Sequence, residues 1–305
     1  MGESILVIVY EKEIKNVQKS ILIDCYEQNN MNRLQPILDS YNINKDKGLD
    51  YVIWTHPDQD HSGGFDLIIS NYTSKKTNYL LPGSLQEDNC GSKDAITSLN
   101  LIKDQSVGLN YSVHQVSVLS IANTPMILGK SKFFDPYSDD IDFEIEILTP
   151  FSDRTFRKQF CCNNFCLNEL SISVIIRFGK LNFYFGGDCE NESINKVDSE
   201  KFKNIDFIKI PHHASKTSDA LISKIGENYP PERRPIAVTT SFTHGRSKLP
   251  NISILNEYKT YSDQVYLTDS ENRMESYGLW KFVYNIQSLQ LYKPVASGDA
   301  IVYVP

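Results

Sequence analysis

The stretch Thr55-His56-Pro57-Asp58-Gln59-Asp60-His61-Ser62-Gly63-Gly64 follows the apolar run Tyr51-Val52-Ile53-Trp54, which is typical of a buried strand. An extended turn after that strand would direct side chains 56, 58 and 60 to one side. Carboxylates and imidazoles that converge in this way repel one another or lose solvation unless a cation lies between them. The stretch therefore predicts a metal site with four potential ligands: His56, Asp58, Asp60 and His61.

This combination of imidazole and carboxylate suits zinc, manganese or iron rather than calcium. The alternative interpretation is a solvated acidic loop that contains two incidental histidines. The apolar strand before the ligands and the pair Gly63-Gly64 after them favour the metal site, because glycines allow a sharp turn close to whatever the metals hold.

The pattern His-x-Asp-x-Asp-His followed by Ser-Gly-Gly resembles the signature of the metallo-β-lactamase superfamily, whose usual form is His-x-His-x-Asp-His. With Asp58 in second place, it is most similar to the hydrolase domain of the competence protein ComEC and its stand-alone relatives. The resemblance covers about residues 1–270 and implies an α/β fold, an αββα sandwich of two mixed β-sheets flanked by helices.

Two later stretches extend the resemblance. Phe183-Tyr-Phe185-Gly186-Gly187-Asp188 ends a hairpin around Gly179-Lys180, and in the superfamily the corresponding Gly-Asp carboxylate bridges two metals. Asn168-x-x-Ser171 is similar to the ComEC group. Lactamases have a histidine ligand near this point, so Asn168 alters one metal position and becomes a candidate substrate contact.

The segment Lys209-Ile-Pro-His-His-Ala-Ser215 resembles the Lys-Val-Pro-His-His-Gly-Ser of the ComEC group. The resemblance implies that one histidine completes a metal site and the other faces the substrate. We favour His213 as the ligand and His212 as the catalytic group at the scissile phosphate or carbonyl, although the sequence also permits the reverse, or two surface histidines.

Residues 236–241 are predicted to form a strand. In the ComEC group, a loop that contains Gly-His-Pro follows the corresponding strand. Here the site reads Lys248-Leu249-Pro250, so the family histidine is absent. His244 and Arg246 are the candidate replacements as polar substrate contacts, the alternative being ordinary loop residues.

The candidate ligands are more numerous than the roughly four that one tetrahedral zinc ion binds. They fit two divalent ions, zinc or manganese, bridged by Asp188: His56 and Asp58 at one, and Asp60, His61 and His213 at the other. Two such ions generate a hydroxide near neutral pH and clamp the attacking and leaving oxygens of a hydrolysed ester. Asp60 would also orient the attacking water, and the oxygen-rich site of Asp58 favours manganese.

The composition is that of a globular protein: 305 residues, 40 % hydrophobic and 23 % charged, with a net charge of −7. The acidic balance gives no general reason to bind a polyanion. Six cysteines without framework spacing, no export signal and no apolar run near ~20 residues predict a cytoplasmic protein with reduced thiols and no membrane partner. Protein partners are not predicted.

The alternation of strand, strand, helix, strand, motif and helix over the first seventy residues predicts an α/β layered domain. We expect one domain over 1–305, with 73–143 as a variable roof. We also expect a helix over 31–46, a strand over 202–210, and strands within 278–304 at the edge of the second sheet.

Three functions compete. The first is a phosphodiesterase or nuclease acting on DNA or RNA, favoured by the ComEC resemblance and the bimetallic site. The second is a small-molecule ester, lactone or lactam hydrolase, favoured by the acidic charge. The third is a binding module that has lost a metal, favoured only by Asn168 and Leu249.

Overall fold

The computed structural model of the protein describes residues 2–11, 16–26, 33–109, 112–118, 126–133, 141–155, 166–228, 234–244, 247–269 and 277–305. The chain forms two compact units. Unit 1 comprises Met1–Ser117 and Ser152–Ile172, and unit 2 comprises Val118–Phe151 and Ser173–Pro305. The predicted single domain over 1–305 and the roof over 73–143 stay predictions.

Unit 1 is built on a five-stranded sheet in sequence order. Its first two strands are antiparallel and the following pairs are parallel, so the sheet is mixed. The strands are β1 Ile5–Glu11, β2 Asn16–Ile23, β3 Tyr51–Ile53, β4 Asn78–Pro82 and β5 Ser112–Val116. The first three confirm the two opening strands and the strand before the metal motif that the sequence predicts.

The helices of unit 1 are α1 Leu34–Ser40, α2 Gln59–Ser62, α3 Phe65–Tyr72 and α4 Lys93–Leu109, with 3-10 turns at Glu87–Asn89 and Leu167–Leu170. Apolar faces of α1, α3 and α4 pack with β3 around the buried Trp54. The helix predicted over 31–46 extends too far, because Asn42 adopts φ 55° and the chain turns after Ser40. Residues 31 and 32 lie outside the described part.

Unit 2 contains an eight-stranded mixed sheet. Its strands are β6 Met126–Phe133, β7 Ile141–Thr149, β8 Ser173–Phe178, β9 Leu181–Phe185, β10 Phe207–Lys209, β11 Ile236–Thr239, β14 Gln264–Leu267 and β17 Ile301–Val302. Their order in the sheet is β17-β14-β11-β10-β9-β8-β7-β6. Strands β9, β10, β11 and β14 are mutually parallel neighbours, so their carboxyl ends lie along one edge.

The described part of this unit also contains the helices α5 Asn191–Lys196, α6 Ala220–Asn228 and α7 Ile252–Tyr261. It has 3-10 turns at Ser199–Phe202, Pro211–Ala214 and Lys216–Ser218. Apolar residues of the helices pack on Ile208 and Ile210 of the β10 region. With two mixed sheets and associated helices, the predicted α/β class is confirmed. Within the described ranges, no helix combines the length and apolar character needed to span a membrane.

Three local predictions were wrong. The strand over 202–210 is only β10, because Asp198 accepts a hydrogen bond from the N–H of Glu200 and starts the turn Ser199–Phe202 instead. The segment after β11 is a hairpin of β12 Phe242–His244 and β13 Ser247–Leu249 rather than a loop. Of the C-terminal strands, β17 does join the edge at β14, but β15 Gly278–Lys281 pairs with β16 Val295–Gly298 in a separate sheet.

Candidate metal centre

The metal motif of unit 1 changes conformation between its ligands. His56 and Asp58 follow β3, and Asp58 is extended with φ −76° and ψ 157°, whereas Asp60 and His61 lie on the one-turn helix α2. The prediction of one extended turn was therefore correct for Asp58 and wrong for Asp60. Gly64 follows with φ 85°, a left-handed conformation that glycine adopts without strain, and it starts α3.

Asp24, which directly follows β2, anchors the motif through hydrogen bonds. Its side chain is fully buried. One carboxylate oxygen accepts hydrogen bonds from Thr55 Oγ1 at 2.6 Å and His61 Nδ1 at 2.7 Å, and the other accepts from the Thr55 N–H at 2.7 Å. Thr55 donates its only hydroxyl hydrogen to Asp24. Thr55 Oγ1 therefore acts as the acceptor toward His56 Nδ1, which lies 3.1 Å away.

These bonds set the tautomers of both histidines. Each Nδ1 carries a hydrogen, so in the neutral imidazole each Nε2 presents a lone pair. His56 Nε2 lies 3.6 Å from Asp58 Oδ2, and His61 Nε2 lies 3.5 Å from Asp60 Oδ2. Both distances exceed an ordinary hydrogen bond and match the roughly 3.4 Å between two ligand atoms of one tetrahedral ion.

In unit 2, Asp188 follows β9 through two glycines. A side chain on Gly186 would lie 2.7 Å from Pro211 Cβ, and Gly187 has φ 51°. The Gly187 carbonyl accepts a hydrogen bond from the His212 N–H at 3.0 Å, which connects this turn to the histidine pair. Asp188 is nearly buried, and its Oδ2 lies 3.8 Å from His213 Nε2.

The histidine pair lies on a left-handed turn. His212, His213 and Ala214 have φ values of 47°, 51° and 59°. Such conformations cost L-residues about 1–2 kcal/mol each and are concentrated at functional sites. The turn is closed by the Ser215 N–H, which donates to the His212 carbonyl at 2.9 Å.

The turn gives the two histidines different surroundings. His213 is buried, and its Nδ1 donates to Thr240 Oγ1 at 2.7 Å and is 3.3 Å from the Thr240 carbonyl. The His212 side chain is 20 % exposed, and its Nδ1 lies 3.0 Å from Thr217 Oγ1 and 3.3 Å from Glu190 Oε1. The burial and the neighbouring carboxylate of His213 suit a ligand, whereas the exposure of His212 suits a substrate contact.

One pattern recurs at His56, His61 and His213. In each, Nδ1 is held by a hydroxyl or carboxylate oxygen, and Nε2 lies 3.5–3.8 Å from an aspartate oxygen. This is the arrangement by which proteins orient imidazole ligands for a metal. Each of these histidines therefore forms, with its aspartate, a nitrogen–oxygen donor pair of the kind that zinc and manganese take.

The predicted substrate contacts are less informative. Asn168 lies half-buried in the turn Leu167–Leu170, and the nearby Ile172 N–H donates to the Thr55 carbonyl at 2.9 Å. His244 ends β12, paired in register with Ser247. Arg246 lies outside the described residues.

Sequence reasoning missed the residues that contact the histidines in the described part of the chain, among them Asp24, Thr240 and Phe242. The Phe242 ring stacks on the His213 ring with centroids 5.1 Å apart. A buried aspartate at the end of an apolar strand is the one signal that could have been used, and it applies to Asp24.

Comparisons with known proteins add little to this geometry. No family model matches the chain, and a search of curated proteins gives no match. A solved structure of a "Putative metal-dependent hydrolase" from Parabacteroides distasonis aligns with 88 % of this chain and 97 % of its own, at 14 % identity and a TM-score of 0.38. Function is therefore argued from the side chains themselves.

Proposed function

We propose that this chain is a metal-dependent hydrolase whose sequence motifs supply Asp60, His61, Asp188 and His213 as the ligands of one divalent ion. His56 and Asp58 would hold a second ion that shares Asp188. The observation that carries the proposal is the pattern repeated at three histidines, an anchored Nδ1 and an Nε2 near a carboxylate oxygen. Zinc and manganese suit these ligands.

Bound divalent ions would act as Lewis acids, which lower the pKa of water and stabilise the negative charge that develops on the scissile group. The residues of the chain do the rest. Asp60, whose side chain is 15 % exposed, orients the attacking water. His212 contacts the scissile group, with its ring held by Thr217 and Glu190. No serine or cysteine nucleophile is required.

For the substrate we propose a phosphodiester, in DNA or RNA. The motif resemblance to a DNA-uptake hydrolase domain and the suitability of paired divalent ions for phosphoryl transfer support this class. Asn168, His244 and Arg246 are proposed as substrate contacts. The net charge of −7 favours the second candidate, a small ester, lactone or lactam, because a nuclease usually has a basic surface.

The deciding experiment is a cleavage assay with single-stranded DNA, plasmid DNA, RNA, bis(p-nitrophenyl) phosphate and a lactone, each with manganese and with zinc. We expect metal-dependent cleavage of nucleic acid that weakens steeply as salt rises. Turnover of the lactone alone, insensitive to salt, would replace the phosphodiesterase with the small-molecule hydrolase. Less than one bound ion per chain after supplying both metals would overturn metal-dependent hydrolysis itself.

A further inference from the structure

The carboxyl ends of β9, β10, β11 and β14 in unit 2 each deliver polar residues to the same edge of the sheet. Asp188 follows β9, His213 follows β10, Thr240 and Ser241 follow β11, and Asp269 follows β14. Ligands of open α/β sheets bind at such an edge. The proposed function uses all of these strand ends except that of Asp269.

Asp269 is a buried carboxylate, only 5 % exposed, and its Oδ2 accepts a hydrogen bond from Ser241 Oγ at 2.5 Å. Ser241 is itself 8 % exposed. A hydroxyl bound to a buried carboxylate at this distance forms a short, charge-assisted bond. The bond therefore ties the end of β14 to the end of β11.

This bond constrains the neighbour of Ser241, Thr240. The Thr240 carbonyl and hydroxyl both lie near His213 Nδ1, at 3.3 and 2.7 Å. Because a carbonyl can only accept, Nδ1 must carry the hydrogen, which leaves the lone pair on Nε2. Any movement of the Thr240-Ser241 backbone would therefore change the orientation and tautomer of His213.

The end of β14 is rigidly supported by the C-terminal hairpin. Trp280 Nε1 donates to the Leu267 carbonyl at 2.7 Å. A side chain on Gly278 would come within 1.5 Å of the Thr268 carbonyl oxygen, so only glycine fits. The Thr268 N–H donates to the Thr239 carbonyl at 3.2 Å. These contacts fix the backbone position of the residues that precede Asp269.

We propose that Asp269 is a positioning residue for His213, acting through Ser241 and Thr240. The role rests on the proposed function in that it takes His213 to be a metal ligand. It also gives β15 and β16, which carry no motif, a part in the site, because they support the strand that presents Asp269.

The test is Asp269→Asn, which keeps the side-chain volume and removes the charge that orders Ser241. We expect the affinity for Mn²⁺ and Zn²⁺, measured by calorimetry, to fall at least about tenfold. In the metal-free protein, imidazole ¹⁵N spectra should show His213 changing from one Nδ1–H tautomer to a mixture. Asp206→Asn is the matched control, because Asp206 is a carboxylate of the same unit that accepts a hydrogen bond from the Asn182 N–H at 2.9 Å, at the amino ends of β9 and β10; it should change neither readout.

Ser241→Ala should reproduce the loss and provides a milder variant if Asp269→Asn does not fold. In a Thr240→Val background, which removes the hydroxyl contact to His213 but keeps the carbonyl contact, Asp269→Asn should cause a smaller further loss than it does in the wild type. An affinity within twofold of wild type, an unchanged tautomer, or full additivity with Thr240→Val would overturn the positioning role. If the wild-type protein binds no metal, the proposed function fails, and the tautomer readout still decides whether Asp269 positions His213.

Discussion

Asp24 Oδ2 lies 2.7 Å from His61 Nδ1, although the two residues are 37 positions apart in the chain. Both side chains are fully buried. The carboxylate can only accept, so it assigns the hydrogen to Nδ1 and directs the lone pair of Nε2 toward Asp60. This pair and the Thr240–His213 pair give the two units the same device for orienting a histidine.

Asp24→Asn should weaken metal binding about 10- to 100-fold, because the amide no longer accepts at both oxygens from Thr55 and His61. Calorimetric titration with Mn²⁺ measures the loss. Asp50→Asn is the control, since Asp50 also accepts from a backbone N–H and a hydroxyl, those of Ser20 in the same unit. Equal affinities for the two variants would contradict the role of Asp24.

Asp188→Ala should reduce cleavage to background and lower the metal content, because the proposed centre uses this carboxylate at both ions. Plasma emission spectrometry and the diester assay measure the two effects. Glu227→Ala, at an exposed position on α6, should retain full activity and metal content. A variant of Asp188 that kept its metals would remove the bridge from the proposal.

Substitutions of His212 and His213 should have different effects on metal content and kcat. His213→Ala should empty a metal position, because His213 Nε2 lies 3.8 Å from Asp188 Oδ2. His212→Ala should leave metal content unchanged and lower kcat, because its ring contacts Thr217 and Glu190 instead. If metal is lost from His212→Ala and retained in His213→Ala, the assignment of the pair is reversed.

Ala214→Gly should change the free energy of unfolding of the metal-free protein by less than about 0.5 kcal/mol, measured by urea denaturation. Ala214 has φ 59°, and relief of its left-handed strain is offset by the loss of its buried methyl and by the greater freedom of glycine in the unfolded chain. Ala95→Gly, in helix α4, also removes a buried methyl but relieves no strain, and it should lower the free energy of unfolding by about 2 kcal/mol. A loss of that size for Ala214→Gly would contradict the strain.

Cys90 should be slow to alkylate. Burial raises the pKa of its thiol to about 11. At pH 8 only about one Cys90 in a thousand is then the reactive thiolate, and its alkylation should accelerate about tenfold per pH unit up to that pKa. Peptide mass spectrometry after iodoacetamide treatment should find Cys166, which is exposed, modified well before Cys90. Equal rates at pH 8 would contradict the shift.

Much of the fold could be predicted from local patterns. The apolar run before His56, the hairpin around Gly179-Lys180 and the α/β class follow from strand periodicity and turn residues, which act between near neighbours in the chain. The candidate ligands from His56 to His61 were also identified from sequence, because their spacing is local, whereas Asp188 and His213 were inferred from the family resemblance. The predictions over 31–46 and 202–210 were wrong at their ends, where a left-handed Asn42 and the cap at Asp198 stop the pattern.

Which residues could bind metal was predictable from short motifs in the sequence, whereas the partners that hold them are evident only in the folded chain. His61 is held by Asp24 from 37 residues away and His213 by Thr240 from 27, and Asp269 reaches Ser241 only because β14 pairs with β11. Strand order and register bring these partners together. Both depend on the packing of the whole sheet, which no short stretch of sequence specifies.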